Sequence, residues 1–388
     1  MIESLKDRLR DWEVFNLIRE LYRFFAKKVG IKILSLFMLG KRMNKESEKL
    51  TVGIMDAGGF GDTLMELPLI EKIIETVGAE KCTIVFCNKY SSFYSEFKQI
   101  TKALQYKNDI VSLAELYSAC DLVLVAGEAS HILSVRKINK VRVKHYSNKL
   151  FVYCEETTSF IRKYFSDGLH NYRIDQYGVM MGKHRLEFLD MQGVLGVTKT
   201  SAVRMPDLFQ FRGILKKFGL EGKQYLVVNR DVGNGNENQP KLWAKENYIE
   251  LFKLIKKKYP GLLIVLVGGK ADKNLASYVD VDTSGQTSLQ ELAVLLKFSQ
   301  ALIACEGGPV HLQHFLGGKS IVIFGPTDPA MFGYPDNCNL SIVNCSRYCY
   351  WLVDNWSDQC VKGGNPPECL SKISPDIVMK CIEGIVKT

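Results

Sequence analysis

The first regular pattern of apolar positions falls on Phe15, Ile18, Tyr22, Phe25 and Val29, spaced three, four, three and four apart. That spacing returns to one side of a helix at every turn, while Arg19, Arg23, Lys27 and Lys28 fall elsewhere around it. A basic amphipathic helix is the expectation. A second apolar patch, Ile31 to Leu39, precedes Lys41 and Arg42. Residues 1–49 thus read as an extension that lies on anionic lipid or packs on protein.

From Leu50 onward short apolar runs alternate with stretches of helical period. Thr51 to Met55, Cys82 to Cys87 and Asp121 to Val125 read as buried strands. The turn Ala57-Gly58-Gly59-Phe60-Gly61 leads into a helix from about Asp62 to Val77, with Pro68 as an irregularity. A helical region follows near Asn171 to Met191, and the poorly patterned stretch Gly193 to Gly222 reads as a connection between domains. The alternation then resumes with strands at Tyr225 to Asn229, Leu262 to Val267, Val279 to Asp282, Ala301 to Cys305 and Ser320 to Phe324. Helices are expected at Lys245 to Lys258, Leu289 to Phe298 and Pro309 to Phe315. Alternating β and α implies mainly parallel sheets, and two such sets in tandem imply two Rossmann-like domains facing a central cleft. The expected division is an extension at 1–49, a first domain at 50–205, a second at 206–370, and 371–388. In the last, a helix from Pro375 to Val386 packs back on the first domain.

A chain of 388 residues suits two ordinary domains and an extension. With 46% hydrophobic and 24% charged residues, fibrous and wholly disordered readings are excluded. The net charge is +9, and residues 1–49 hold 12 basic against 7 acidic side chains. The remainder is mildly basic and shows no basic module interleaved with aromatics, so no nucleic-acid partner is expected. Eleven cysteines without a secretory leader pattern imply reduced thiols in a cytoplasm, buried or metal-bound. The longest apolar run, Val29 to Leu39, has 11 residues and contains Lys32, too short to span a membrane. A cytoplasmic protein, peripheral on the inner face of the membrane through its extension, is the expectation.

Two Gly-rich strand-to-helix junctions carry the candidate chemistry, because missing Cβ atoms let a ligand approach free N–H groups. At the first, Gly59 and Gly61 open a G-x-G, but Leu64 stands where the dinucleotide fingerprint needs its third glycine. NAD binding loses its support. At the second, Cys305-Glu306-Gly307-Gly308-Pro309-Val310-His311 offers a helix start able to hold a diphosphate. His311 and His314 lie three apart, but no further metal ligands are evident nearby. Phe324 to Pro329, with Thr327, ends the next strand and faces the same cleft. Lys241, in Lys241-Leu242-Trp243, is placed to neutralise a leaving phosphate. Gly318-Lys319-Ser320 lacks the upstream glycine of a Walker loop, and Asp280-Val281-Asp282 is a chance D-x-D within a strand-like stretch.

Val52 to Leu69, with Gly61-Asp62 and Leu67-Pro68, resembles the opening motif of glycosyltransferase family 9, the heptosyltransferases. Lys241-Leu242-Trp243 with Tyr248 is similar to their K-x-W-x-x-x-x-[YW] stretch, and Gly307 to His311 through Gly325-Pro326-Thr327 to their nucleotide-proximal signature. The resemblance implies a GT-B fold and inverting transfer of a sugar, typically from ADP-heptose, to a lipopolysaccharide-type or other surface-glycan acceptor, without a catalytic metal or cofactor. It makes Asp62 the general base and Lys241, with the start at Gly307 and Gly308, the stabiliser of the departing diphosphate. Gly59, Gly61, Glu306, Gly307, Gly308, Pro309, His311 and Thr327 become the donor-binding set. Asp62 also suits a helix cap. The chain departs from the family where Glu306-Gly307-Gly308 replaces Asp-Thr-Gly, which leaves the donor open.

Cys345, Cys349, Cys360 and Cys369 form a C-terminal cluster, either a structural Zn or Fe site or reduced buried thiols. Some protein-modifying members of the family carry a similar cluster resembling an iron-binding finger. Protein O-heptosyl transfer is therefore an alternative reading, and a non-catalytic nucleotide-sugar-binding protein is another. The oligomeric state stays open, a homo-oligomer included.

Overall fold

The computed structural model describes residues 48–127, 130–164, 177–231, 240–269, 273–342, 349, 360, 362–363 and 367–386. The expected basic amphipathic extension lies outside these but for its last two residues, as does most of the loop 231–240.

Two sheets organise the chain. The first contains β1 (Leu50–Asp56), β2 (Cys82–Asn88), β3 (Lys102–Gln105), β4 (Leu122–Gly127) and β5 (Ser130–Ile138), in the spatial order β3-β2-β1-β4-β5. The second contains β6 (Tyr225–Asn229), β7 (Leu263–Val267), β8 (Val281–Asp282), β9 (Ala301–Cys305), β10 (Ser320–Phe324) and β11 (Cys338–Ser341), ordered β11-β10-β9-β6-β7-β8. All pairs are parallel except β4 with β5, where Leu122 lies opposite Ile138 in an antiparallel edge that the alternation of strands and helices did not foretell.

Nine helices are used below: α1 (Phe60–Met65), α2 (Leu67–Val77), α3 (Asp109–Ala119), α4 (Lys140–Tyr146), α5 (Asn148–Tyr164), α6 (Lys245–Lys258), α7 (Leu289–Lys297), α8 (Gly308–Phe315) and α9 (Pro375–Ile385). The single helix expected from Asp62 to Val77 is two. The chain turns at Glu66, and Pro68 occupies the first turn of α2, where its missing N–H removes no helical hydrogen bond.

Both faces of each sheet are covered, which is why the strands read as continuous apolar runs. In β1 the alternation sends Leu50, Val52 and Ile54 into one cluster with α2, and Met55 into another with Leu113 and Leu116 of α3. The larger cluster continues through α7 and α8 of the second domain, so apolar packing bridges the two. In the connection, the Asp190 carboxylate accepts hydrogen bonds from the N–H groups of Val194, Leu195, Gly196 and Val197. That clamp fixes where the chain leaves the first domain.

Two expectations need correction. Helix α9 packs on α6 and β10, its Val378, Met379 and Ile382 sharing a cluster with Tyr248, Leu251 and Ile255, so it completes the second domain rather than returning to the first. The same packing brings Cys338 of β11 to Cys381 of α9, with Cα atoms 6.2 Å apart, and the two form a disulfide. Reduced thiols throughout were expected; with the partners 43 positions apart, nothing in the spacing announced this pair.

Candidate functional site

In open α/β sheets ligands bind beyond the strand carboxyl ends where strand order reverses. Here those points are β1 with β4 in one sheet and β6 with β9 in the other, and the two Gly-rich junctions leave β1 and β9. The helices that follow, α1 and α8, pack against each other across the domain boundary. A Cβ on Gly61 would lie 3.1 Å from Cα of Gly308 and 3.1 Å from Cδ2 of His311. A Cβ on Gly308 would lie 3.1 Å from the Gly61 nitrogen. A side chain at either position would press on the opposite backbone, so glycine eases this approach of two main chains.

On the first-domain side, Asp62 is half-buried in α1 and its Oδ2 accepts from the Gly59 N–H at 2.9 Å. Gly59, not Asp62, holds the cap position of α1; Asp62 sits in its first turn and reaches back to the cap's N–H. Behind it stands Asp56, the last residue of β1, 2% exposed, whose Oδ1 accepts from the Gly58 N–H at 2.6 Å. A Cβ on Gly58 would lie 2.8 Å from Asp56 Oδ1 and 3.0 Å from Asp62 Oδ2, so this glycine lets two carboxyl groups crowd together. Burial first, then the neighbouring Glu66 and Asp62, push the Asp56 carboxyl well above the usual range. Glu66 is fully enclosed with Arg185, its Oε1 accepting from Nη2 at 3.0 Å. Burial raises Glu66 to about 7 against the opposing pull of Arg185.

On the second-domain side, Lys241 donates to Glu306 Oε2 at 2.6 Å. Trp243 and Tyr248 explain how the lysine is held there. The Trp243 indole is fully buried and donates to the Ile373 carbonyl at 2.8 Å, and its ring meets that of Tyr248 edge-on at 4.8 Å. The Tyr248 hydroxyl in turn lies 3.8 Å from the sulfur of Cys305, the neighbour of Glu306. His311 Nε2 lies 3.8 Å from Glu306 Oε1, and its Nδ1 is 2.9 Å from the Tyr334 hydroxyl. The Glu306 carboxylate only accepts, so Nε2 meets it as a donor, while Nδ1 and the Tyr334 hydroxyl share the remaining hydrogen bond. Burial would raise the Glu306 carboxyl, but Lys241 and His311 together outweigh it and hold it at about 2.

His314 stacks on Tyr334 at 3.6 Å, and His184, from the first domain, approaches the same ring at 5.3 Å. Burial, with His311 adding to it, lowers His184 to about 3 and His314 to about 4. Both pKa values lie below the unfolded value of about 6.5, so their contribution is complete above pH ~6.5 and is lost as pH falls through 4 and 3. Denaturant midpoints followed from pH 7 to 4 should therefore show His184→Gln flattening the curve by about 1.4 kcal/mol per pH unit relative to the parent; parallel curves would contradict this.

Among the donor-binding residues expected from the sequence, Gly61, Gly307, Gly308, Pro309, His311 and Glu306 gather at the start of α8, with Gly307 as its cap and Pro309 in its first turn. Thr327 is buried beyond β10, its Oγ1 without a hydrogen-bond partner among the described residues. Gly59 is exposed at the start of α1. Cys345 lies outside the described residues, and Cys349, Cys360 and Cys369 are half-buried. Among the described residues no three His, Cys, Asp or Glu side chains group to hold a metal ion. Asp280 and Asp282 accept from the N–H groups of Ile264 and Ser284, as backbone ties. The sequence reading missed Asp56, Glu66, Arg185, His184 and Tyr334. Of these only Asp56, an acid closing an apolar strand, carried a local signal.

Residues 192–365 match the model of glycosyltransferase family 9 (heptosyltransferase). Lipopolysaccharide heptosyltransferase 1 of Campylobacter coli is 30% identical over 148 residues, 34% of this chain and 42% of that protein. The chain thus aligns with less than half the length of this curated relative. A glycosyl transferase family 9 structure from Veillonella parvula superposes with a TM-score of 0.59 at 16% identity, covering 88% of this chain and 98% of the other. The E. coli heptosyltransferase WaaC with ADP gives 0.51 at 15% identity, covering 87% and 100%. The two-domain GT-B fold is shared with these structures. The family match over residues 192–365 and this common fold bear out the resemblance to glycosyltransferase family 9 that the sequence motifs carried.

Proposed function

We propose that this protein is a glycosyltransferase that moves a sugar, heptose before others, from an ADP-linked donor to a lipopolysaccharide-type or other surface-glycan acceptor, with inversion. One observation carries the reading: the helix start bearing Gly61 and Asp62 packs on that bearing Gly308 and His311, His311 faces Glu306, and Glu306 holds Lys241. On this reading Asp62 takes the proton of the acceptor hydroxyl as its oxygen bonds to the anomeric carbon. The bond from that carbon to the diphosphate breaks on the opposite face, and the leaving phosphate competes with Glu306 for the Lys241 ammonium. The N–H groups at Gly307 and Gly308 offer the diphosphate further donors. No described helix is long and apolar enough to cross a membrane. We place the reaction in the cytoplasm at the inner membrane face.

The test pairs thermal shift with turnover. ADP-heptose should raise the melting temperature and, with a lipopolysaccharide core acceptor, release ADP. Stabilisation by a GDP-, UDP-, CMP- or dTDP-linked sugar instead would keep the chemistry and change the donor. Transfer to a serine-containing peptide rather than the glycolipid would favour protein modification, and no response to any donor would sink the reading.

A further inference from the structure

The stretch from residue 136 to residue 149 contains Arg136, Lys137, Lys140, Arg142, Lys144 and Lys149, together with His145, and no acidic residue. It runs from the end of β5 through α4 into α5. The sequence reading assigned the concentrated basicity to residues 1–49 and passed over this run. Part of its charge is neutralised within the fold. Lys137 donates to the carbonyls of Tyr117 and Cys120, and Arg142 pairs with Asp121 at 2.9 Å. Lys140 pairs with Glu155 at 3.0 Å, an exposed contact of small value.

Arg136, Lys144, His145 and Lys149 are exposed. Two apolar side chains stand among them, Val141 at 81% and Val152 at 38% exposure. The Lys144 ammonium, on α4, lies 5.7 Å from the Phe151 ring of α5. Cations interleaved with exposed aliphatic groups suit the boundary between lipid headgroups and acyl chains. Single-stranded nucleic acid would call for a series of exposed aromatic platforms, whereas the exposed apolar side chains of this surface are Val141 and Val152.

A second observation concerns where the N-terminal residues meet the fold. The Tyr146 hydroxyl donates to the Glu48 carbonyl, and Arg142 Nη2 donates to the Lys49 carbonyl at 2.9 Å. Helix α4 thus grips the point from which residues 1–47 depart, and those residues are themselves rich in Lys and Arg. The described start of the chain, Glu48 and Lys49, is thus tied to the same helix that carries Lys144.

We propose that α4 and the first turns of α5 form the surface by which this protein docks on an anionic phospholipid bilayer, the N-terminal residues joining the fold at the same place. The proposal goes beyond the transfer reaction and does not depend on which sugar is moved. The test is co-sedimentation of the full chain with vesicles of phosphatidylcholine and phosphatidylglycerol, against phosphatidylcholine alone. Each lysine near such a surface contributes about a fivefold factor, so Lys144→Gln/Lys149→Gln should weaken partitioning about 25-fold. Both lysines are exposed, so the melting temperature should not change. The matched control Lys253→Gln/Lys257→Gln, on exposed positions of α6, should bind as the parent does. Unaltered binding by the α4/α5 variant, or equal weakening in both variants, would overturn the assignment. So would tighter binding to single-stranded RNA than to anionic vesicles at the same salt, with the RNA affinity lost in that variant.

Discussion

Replacing Asp62 by Asn should lower turnover by about 10²–10⁴-fold, the usual contribution of a positioned general base, while leaving donor affinity within a factor of a few. The two halves of that expectation come from different parts of the geometry. An amide keeps an oxygen that can accept from the Gly59 N–H, so the start of α1 and its contact with α8 survive. It cannot take the acceptor's proton. Single-turnover rates with saturating donor, beside thermal shift by ADP alone, separate the two effects. Turnover within threefold of the parent would remove Asp62 from the chemistry and leave it as a tie to the Gly59 N–H. Asp56→Asn is the informative companion: at 2% exposure the Asp56 carboxyl is enclosed, and its replacement should cost far less turnover than that of Asp62.

The second large effect is on stability. Arg185→Met should destabilise the fold by about 3–5 kcal/mol, because it leaves Glu66, 0% exposed, without the guanidinium that opposes its burial. Pairing it with Glu66→Leu should recover most of the loss, since an apolar pair of similar volume avoids burying any charge. Urea midpoints read both steps. Burial raises Glu66 to about 7 even beside Arg185, so this group's contribution is present below pH ~4.5 and is lost as pH rises through 7. The Arg185→Met loss should accordingly be larger at pH 8 than at pH 5. A loss below about 1 kcal/mol at pH 8 would show that the arginine does not balance the carboxylate.

What the sequence made legible follows from which interactions are local. The strand Tyr225–Asn229 and the helix Lys245–Lys258 were expected at the bounds the structure gives them, because burial on both sheet faces and a 3.6-residue period are written into neighbouring residues. The junctions at Gly58–Gly61 and Glu306–Gly308 were legible too, since glycines between an apolar strand and a helix have few other uses. The antiparallel β5 was not, for its strand follows β4 closely and its pairing depends on register rather than composition. Nor was the placement of α9, whose apolar stripe shows that a face is buried and not by what. The match of Arg185 to Glu66, 119 residues apart, and the convergence of His184, His311 and Tyr334 from both domains are tertiary facts with no local trace. The motif around Lys241 was noticed in the sequence only as a spacing. Its Trp243 and Tyr248 prove to be the internal struts that seat the lysine, a division of labour that spacing alone does not reveal.

The contact between Gly61 and Gly308 also sets a mechanical limit. A Cβ on either glycine would lie 3.1 Å from the other's main chain, so at this point the two lobes face each other through main chain rather than through adaptable side chains. A methyl group at either position would work as a wedge, holding the lobes apart by a fraction of an ångström, just where the reacting groups must come into register.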